Sequence, residues 1–271
     1  MKSLNLIGAG RVGKTLARLW RDSGRYQVQD VLTRSGPSAD EATRFIGAGR
    51  AVNDLKDMRP ADLWMLAVPD RQVAQTASNL ALAAGNHPAA LAFHCSGALT
   101  AAELEPLSAL GWPVASAHCL LSFANPATAL QQFTGTPCAL EGNPAAVTEL
   151  EPAFTDIGAH CFPLKAQDKL LYHAGAVFST NFLPVLQAVA NQLWADSGVP
   201  AEVAAHLNAS LLKNAVDNIL SLGPAGALTG PAARGDLALV QRQGEVVSAW
   251  DATAGEAYVA LSQLATRLAA R

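Results

Sequence analysis

The feature that most restricts what this chain can fold into lies within its first twenty residues. An apolar run, Leu4-Asn5-Leu6-Ile7, breaks into Gly8-Ala9-Gly10-Arg11-Val12-Gly13, after which Leu16, Ala17, Leu19 and Trp20 recur at helical spacing. The pattern reads as strand, tight turn, helix. In such a turn Gly8 permits the bend, Gly10 lets the backbone approach a pyrophosphate, and Gly13 lets the helix lie close on the strand. A diphosphate can then sit against the free N–H groups and positive dipole end of the helix. All six residues of the turn are therefore candidate cofactor contacts.

The second strand selects the dinucleotide. Val28 to Leu32 ends in Thr33-Arg34-Ser35, where a site for NAD would carry a carboxylate for the ribose 2′-hydroxyl. Here a guanidinium stands between two hydroxyls, a trio suited to a 2′-phosphate. The reading is NADP (NADPH), with Thr33, Arg34 and Ser35 as its contacts. Asp30 lies inside the strand and is a less natural ribose ligand.

Further along, strands and helices alternate. Ser38 and Glu41 form a capping-box pair for a short helix, and Leu63 to Val68 is a continuous apolar run, as in a strand buried on both faces. Asp70 can cap the helix that follows, and Thr100 with Glu103 makes a second capping box. Ala90 to His94 and Val114 to His118 read as strands five and six. The region from 123 to 135 is loop-like, and Pro137–Glu141, a helix begun by Asn143-Pro144, and a strand from His160 extend the sheet. This is an α/β chain with a Rossmann-type doubly wound parallel sheet, whose ligands sit beyond the carboxyl ends of the strands. From Ala166 the character changes. Helical spacing runs from Gln167 to Ser197, kinked at Pro184, then from Pro200 to Leu222; a Gly/Pro loop spans Gly223 to Gly235, and helices follow from Asp236 to the end. The expected organisation is an NADP-binding Rossmann-like domain over 1–165, with its core to about 122, and an all-helical substrate and dimerisation domain over 166–271.

A formal charge of −3 gives no basic field for nucleic acid, and no apolar stretch is long enough to span a bilayer. The N-terminus enters the first strand at once, without room for a signal peptide, so a soluble, cytoplasmic protein is expected. The four cysteines have no metal-like spacing, and no metal is expected.

The glycine turn, the strand ending Ala67-Val68-Pro69-Asp70 and the helical second half together resemble the superfamily of 6-phosphogluconate dehydrogenase, 3-hydroxyisobutyrate dehydrogenase and pyrroline-5-carboxylate reductase. Three later motifs narrow the resemblance: Phe93-His94-Cys95-Ser96-Gly97-Ala98-Leu99, Tyr172-His173-Ala174 with Asn181-Phe182, and Leu228-Thr229-Gly230-Pro231 running on to Asp236. They are similar to the family that joins a Rossmann-like domain to a C-terminal domain of unknown function 2520. The resemblance covers nearly the whole chain and implies an NADP-binding, reductase-like protein that dimerises through its helical domain. Val68 and Pro69, at a strand's carboxyl end, are counted with the cofactor site. The family pattern has Pro after the histidine of strand six. Cys119 stands there in this chain, so no role is carried over to His118.

Hydride transfer to a carbonyl or imine needs a nearby proton source. Lys169 and His173 are four residues apart, on one helix face, where the superfamily's dehydrogenases place a Lys with an Asn a turn later. Lys169 could act as acid or base, His173 could orient substrate or shuttle the proton, and Asn181, two turns on, could hold a substrate oxygen. His94 and Ser96 leave strand five beside the expected nicotinamide. The plainer alternatives are a solvated Lys169, a satisfied interior His173 and a His94 that closes a strand end. The resulting expectation is an NAD(P)-dependent oxidoreductase of a small polar carbonyl, imine or hydroxy acid, acting in the cleft between domains. The alternative is a non-catalytic NADP-binding sensor or scaffold.

Overall fold

The computed structural model describes residues 1–85 and 87–270. Among them, β1 (Lys2–Ile7), β2 (Tyr26–Leu32), β3 (Arg50–Val52), β4 (Leu63–Leu66), β5 (Leu91–His94), β6 (Val114–Cys119), β7 (Pro137–Gly142) and β8 (His160–Pro163) form one sheet. Their order is β3-β2-β1-β4-β5-β6-β7-β8. Every neighbouring pair is parallel except β6 and β7, which pair antiparallel. The antiparallel step lets the chain turn back beyond β6 and add two strands to that edge.

The period-two alternation of strand side chains divides the core in two. Leu4, Leu6, Leu63, Met65, Leu91, Phe93, Ala115 and Ala117 face one side, whereas Ile7, Trp64, Leu66, Ala92 and Val114 face the other. Helices α1 (Arg11–Ser23) and α2 (Gly36–Ile46) cover the first face; α3 (Val73–Ala83) and α4 (Glu105–Ser108) cover the second. The short α5 (Pro126–Gln132) and α6 (Pro144–Thr155) complete the first layer. Buried Trp20 anchors that layer: its indole N–H donates to the Ala153 carbonyl at 2.8 Å, and its ring meets Tyr26, Phe93 and Phe154 edge-on. The continuous apolar run of β4 is buried at every residue, as a central parallel strand requires.

The later helices are α7 (Lys169–Ala176), α8 (Phe182–Asp196), α9 (Ala201–Ala227), α10 (Leu237–Trp250) and α11 (Ala252–Ala269). The chain folds as two compact units, Met1–Thr180 and Asn181–Arg271. Residues 136–180, with β7, α6, β8 and α7, belong to the sheet unit. The far end of the last expected helix, Arg271, lies outside the described residues. No helix among the described residues is long and apolar enough to cross a membrane.

Several local expectations change. The predicted helix from Gln167 to Ser197 is interrupted by a π-helical turn, Val177–Asn181, just before Pro184. A proline there cannot donate to the carbonyl four residues back, and a wider turn accommodates the lost bond. Ser38 and Glu41 do not make a capping box: α2 starts after Ser35 with Pro37 in its first turn, and Glu41 pairs instead with Lys14. Thr100 makes no side-chain cap either: the Glu103 N–H bonds the Thr100 carbonyl at 3.2 Å in a 3-10 turn, and the Ala101 N–H goes to Glu141 Oε2 at 2.8 Å. Within the expected Gly/Pro loop, Pro224–Ala227 forms one more helical turn after Gly223 breaks the helix at φ +72°.

Candidate functional site

The glycine turn lies where β1 passes into α1, beside the end of β4. Gly8 has φ +84°, and a β-carbon on it would lie 2.6 Å from the Ala67 carbonyl oxygen. A β-carbon on Gly13 would lie 2.5 Å from the Gly8 oxygen and 2.8 Å from Ala67 Cβ, so the missing side chain lets α1 sit against β4. At Gly10 a β-carbon would meet nothing, and α1 starts there without a side-chain cap. The free N–H groups of its first turn therefore face open space.

That space is a cavity of about 600 Å³, lined by Gly8, Ala9, Gly10, Arg11, Thr33, Arg34, Val68 and Pro69 among others. Val12 and Gly13 turn inward to packing, and Ser35 lies just outside, its hydroxyl bonded to Ser38 Oγ. Lys14, Ser38, Glu41 and Arg71, which sequence reasoning passed over as ligands, also line the wall. Lys14 follows the glycine motif by one residue, and that adjacency was the available signal. The lining carries Arg11, Lys14, Arg34 and Arg71 against the single carboxylate Glu41, which pairs with Lys14 at 2.8 Å. Arg11, Arg34 and Arg71 have no carboxylate partner among the described residues. Donors, glycine cradle and charge fit a dinucleotide with an extra phosphate. Asp30 is turned away from this site: it is fully buried and held by Arg50 at 2.9 Å and Arg59 at 2.7 Å. Burial would raise its carboxyl, but the hydrogen bonds from the two arginines outweigh this and hold it at about 2.

A second constellation forms beyond the carboxyl ends of β4, β5 and β6. Asp70 does not cap the next helix; its carboxylate accepts a hydrogen bond from Ser96 Oγ at 2.9 Å. Ser96 Oγ also accepts from the Ala98 and Leu99 N–H groups, so this hydroxyl shapes the loop after β5. His94 is fully buried: its Nδ1 accepts from the Ser96 N–H at 3.1 Å, and its Nε2 therefore carries the proton given to the Thr100 carbonyl at 2.9 Å. Burial lowers its pKa and keeps it neutral. His94 and Ser96 both hold the loop.

Lys169 is also fully buried, donating to Ser116 Oγ at 2.7 Å and to the Ser96 carbonyl at 3.2 Å. Ser116 in turn donates its hydroxyl hydrogen bond to Glu141 Oε2 at 3.0 Å, so a buried lysine, serine and glutamate line up. Desolvation lowers the Lys169 pKa, opposed by Glu141 and Asp70. Glu141 was missed, although a lone carboxylate in an apolar strand is a visible signal of a buried charge. His173 is half-buried and meets the His118 ring at 5.7 Å between centroids. His118 Nδ1 is 2.8 Å from the Tyr172 hydroxyl. The fold thus brings to the site the histidine to which no role was carried over. Asn181 begins the helical unit at the end of the π-turn. Cys95 is no nucleophile, since burial pushes its thiol up to about 12. No group of three or more metal-ligating side chains among the described residues is arranged to hold a metal ion.

Sheet order, glycine turn and cavity define a Rossmann-type α/β protein with a cation-lined cavity at the glycine turn and a helical second unit. Two family models match the chain: a Rossmann-like domain over residues 2–118, and the domain of unknown function DUF2520 over residues 136–265. The chain therefore belongs with the proteins that join these two domains. Among solved structures it is similar to a protein of Thermotoga maritima, with 24% identity, 98% of each chain covered and a TM-score of 0.74. It is similar too to a Bacteroides fragilis protein described as a candidate NADP oxidoreductase, at 21% identity over 98% of each chain and a TM-score of 0.77. The pyrroline carboxylate reductase of Plasmodium falciparum, solved with NADP bound, shares 14% identity over 99% of this chain and 98% of that one, with a TM-score of 0.58. No curated protein matches the sequence.

Proposed function

We propose that this protein is an NADP-dependent oxidoreductase of a small polar carbonyl, imine or hydroxy acid. The observation that carries the reading is the cavity wall, with four cations against one carboxylate beside an uncapped helix start. The resident fold neighbours named for NADP agree with it. When bound, NADPH supplies a hydride. Arg34 and Thr33 hold the 2′-phosphate, and the turn from Gly8 to Gly13 holds the diphosphate. Lys169 braces the loop after β5 from behind through the Ser96 carbonyl and Ser116, and His173 orients the substrate. The helical unit joins two copies into a homodimer, because its exposed Leu211, Ile219, Leu220 and Leu222 otherwise remain in water.

Isothermal titration with NADPH, NADP, NADH and NAD tests the cofactor half. NADPH binds at least about tenfold tighter than NADH, and Arg34→Ala brings the two close together. A panel of glyoxylate, succinic semialdehyde, 1-pyrroline-5-carboxylate and 2-methyl-1-pyrroline, followed by loss of NADPH absorbance, tests turnover. Binding of none of the four dinucleotides overturns the reading, and binding without turnover reduces it to a sensor.

A further inference from the structure

Lys169 is fully enclosed, and both of its hydrogen bonds point into the protein. His94 and Ser96 spend their polar atoms on the loop. The half-buried groups left at this end of the sheet are Tyr172, His118 and His173. His118 Nε2 and both ring nitrogens of His173 have no hydrogen-bond partner among the described residues, so these half-buried rings keep their polar edges open to a small molecule. Gly97 makes the arrangement possible. A β-carbon there would lie 2.5 Å from His173 Cδ2 and 2.7 Å from His118 Cε1, so the loop reaches both rings only as glycine. The same loop leads back to the cofactor cavity, through the Ser96–Asp70 bond to Pro69 in its wall.

We propose that Tyr172 and His118 are the proton-delivering pair of this site, with the Tyr172 hydroxyl as donor and His118 as the group that recharges it. The inference rests on the oxidoreductase reading above. His118 Nδ1–H donates to Tyr172 Oη, which leaves the phenolic hydrogen free to point at the substrate. As the substrate carbon gains a C–H bond with the two electrons of the hydride, its C=O or C=N π bond breaks. The oxygen or nitrogen then takes the phenolic proton. The phenolate recovers a proton from His118 Nδ1, and Nε2 takes one from solvent, leaving the other tautomer. One hydride and one proton are consumed, and the pair returns to its starting charge.

The surroundings suit a neutral relay. Burial, helped by the His173 ring and the Lys169 ammonium of α7 and opposed by Asp70 from the turn after β4, holds His118 at about 4. Burial, with Cys138 and Cys119 behind it, raises the Tyr172 phenol above its ordinary range. Both stay uncharged across neutral pH.

The test uses the full chain and whichever panel member the wild type reduces. Tyr172→Phe binds NADPH as the wild type does and lowers kcat by about a hundredfold or more. Its kcat also falls about tenfold per pH unit from neutral to alkaline pH, since solvent must now supply the proton, whereas the wild-type profile stays flat. His118→Asn keeps a hydrogen bond near the Nδ1 position but cannot relay, and it lowers kcat with unchanged thermal stability. Side-chain 15N spectra give a readout apart from turnover, in which the His118 ring nitrogens shift in Tyr172→Phe while those of His94 do not. Either variant turning over within about threefold of wild type with a flat pH profile overturns the proposal and leaves the oxidoreductase reading intact. NADPH binding with no turnover of any panel member by the wild type overturns both.

Discussion

At the scale of the residue, the buried charges show how the same side chain reads differently once its partners are known. Asp30 stood in the sequence as a weak ribose ligand, and the fold makes it the acceptor for Arg50 of β3 and Arg59 of the loop before β4. Its carboxyl is held at about 2, below the unfolded value, so it contributes stability above the unfolded pKa that is lost as pH falls through the folded one. Urea unfolding from about pH 6 to about pH 2 should show the wild type losing roughly 2 kcal/mol more than Asp30→Asn. His118 acts over a different window. Its folded pKa lies below the unfolded one, so the unfolded chain takes up a proton first and stability falls as pH drops from about 6.5 towards 4. His118→Asn should flatten that part of the curve, and an unchanged slope would show that His118 titrates alike in both states.

At the scale of the element, the turn between β1 and α1 separates two duties that the glycine pattern combines. Gly13 is needed for packing and Gly10 for access. Gly13→Ala should destabilise the protein by about 2 kcal/mol, because α1 must shift away from β4 to admit a methyl group. Gly10→Ala should leave the melting temperature nearly unchanged while NADPH affinity falls about tenfold, as measured by calorimetry. If both substitutions act on stability alone, the cavity is not a phosphate site. The two capping boxes give way to different competitors: Glu41 pairs with Lys14 across the fold, and the Glu103 N–H is spent on the Thr100 carbonyl in a 3-10 turn.

At the scale of the whole molecule, the two units differ in how they bury apolar surface. The sheet unit encloses two continuous clusters, one on each face. In the helical unit Ala204, Gly244 and Gly255 are buried, whereas Leu220 is 81% exposed and Leu222 62%. Helices of this length need an apolar face covered to be stable. Light scattering should therefore give twice the chain mass at micromolar concentration. Leu220→Lys, harmless on a solvent-facing surface, should shift the population towards monomer and lower the melting temperature. A wild type that is monomeric at all concentrations would remove the homodimer from the proposal.

The chain's own pattern determined the local chemistry: the strand–glycine–helix entry, the alternation of strands with helices, the basic tip after β2, and the change to helices past residue 166. Each depends on neighbours in sequence, where periodicity and backbone sterics act directly. Tertiary structure decided which side chains meet. Glu141 reaches Ser116 because β7 turns antiparallel onto β6, and His118 reaches Tyr172 and His173 because α7 packs within the sheet unit and Gly97 leaves room. The Ser116–Glu141 and His118–Tyr172 bonds join residues 25 and 54 positions apart, a separation at which only the completed packing of the sheet defines who stands beside whom.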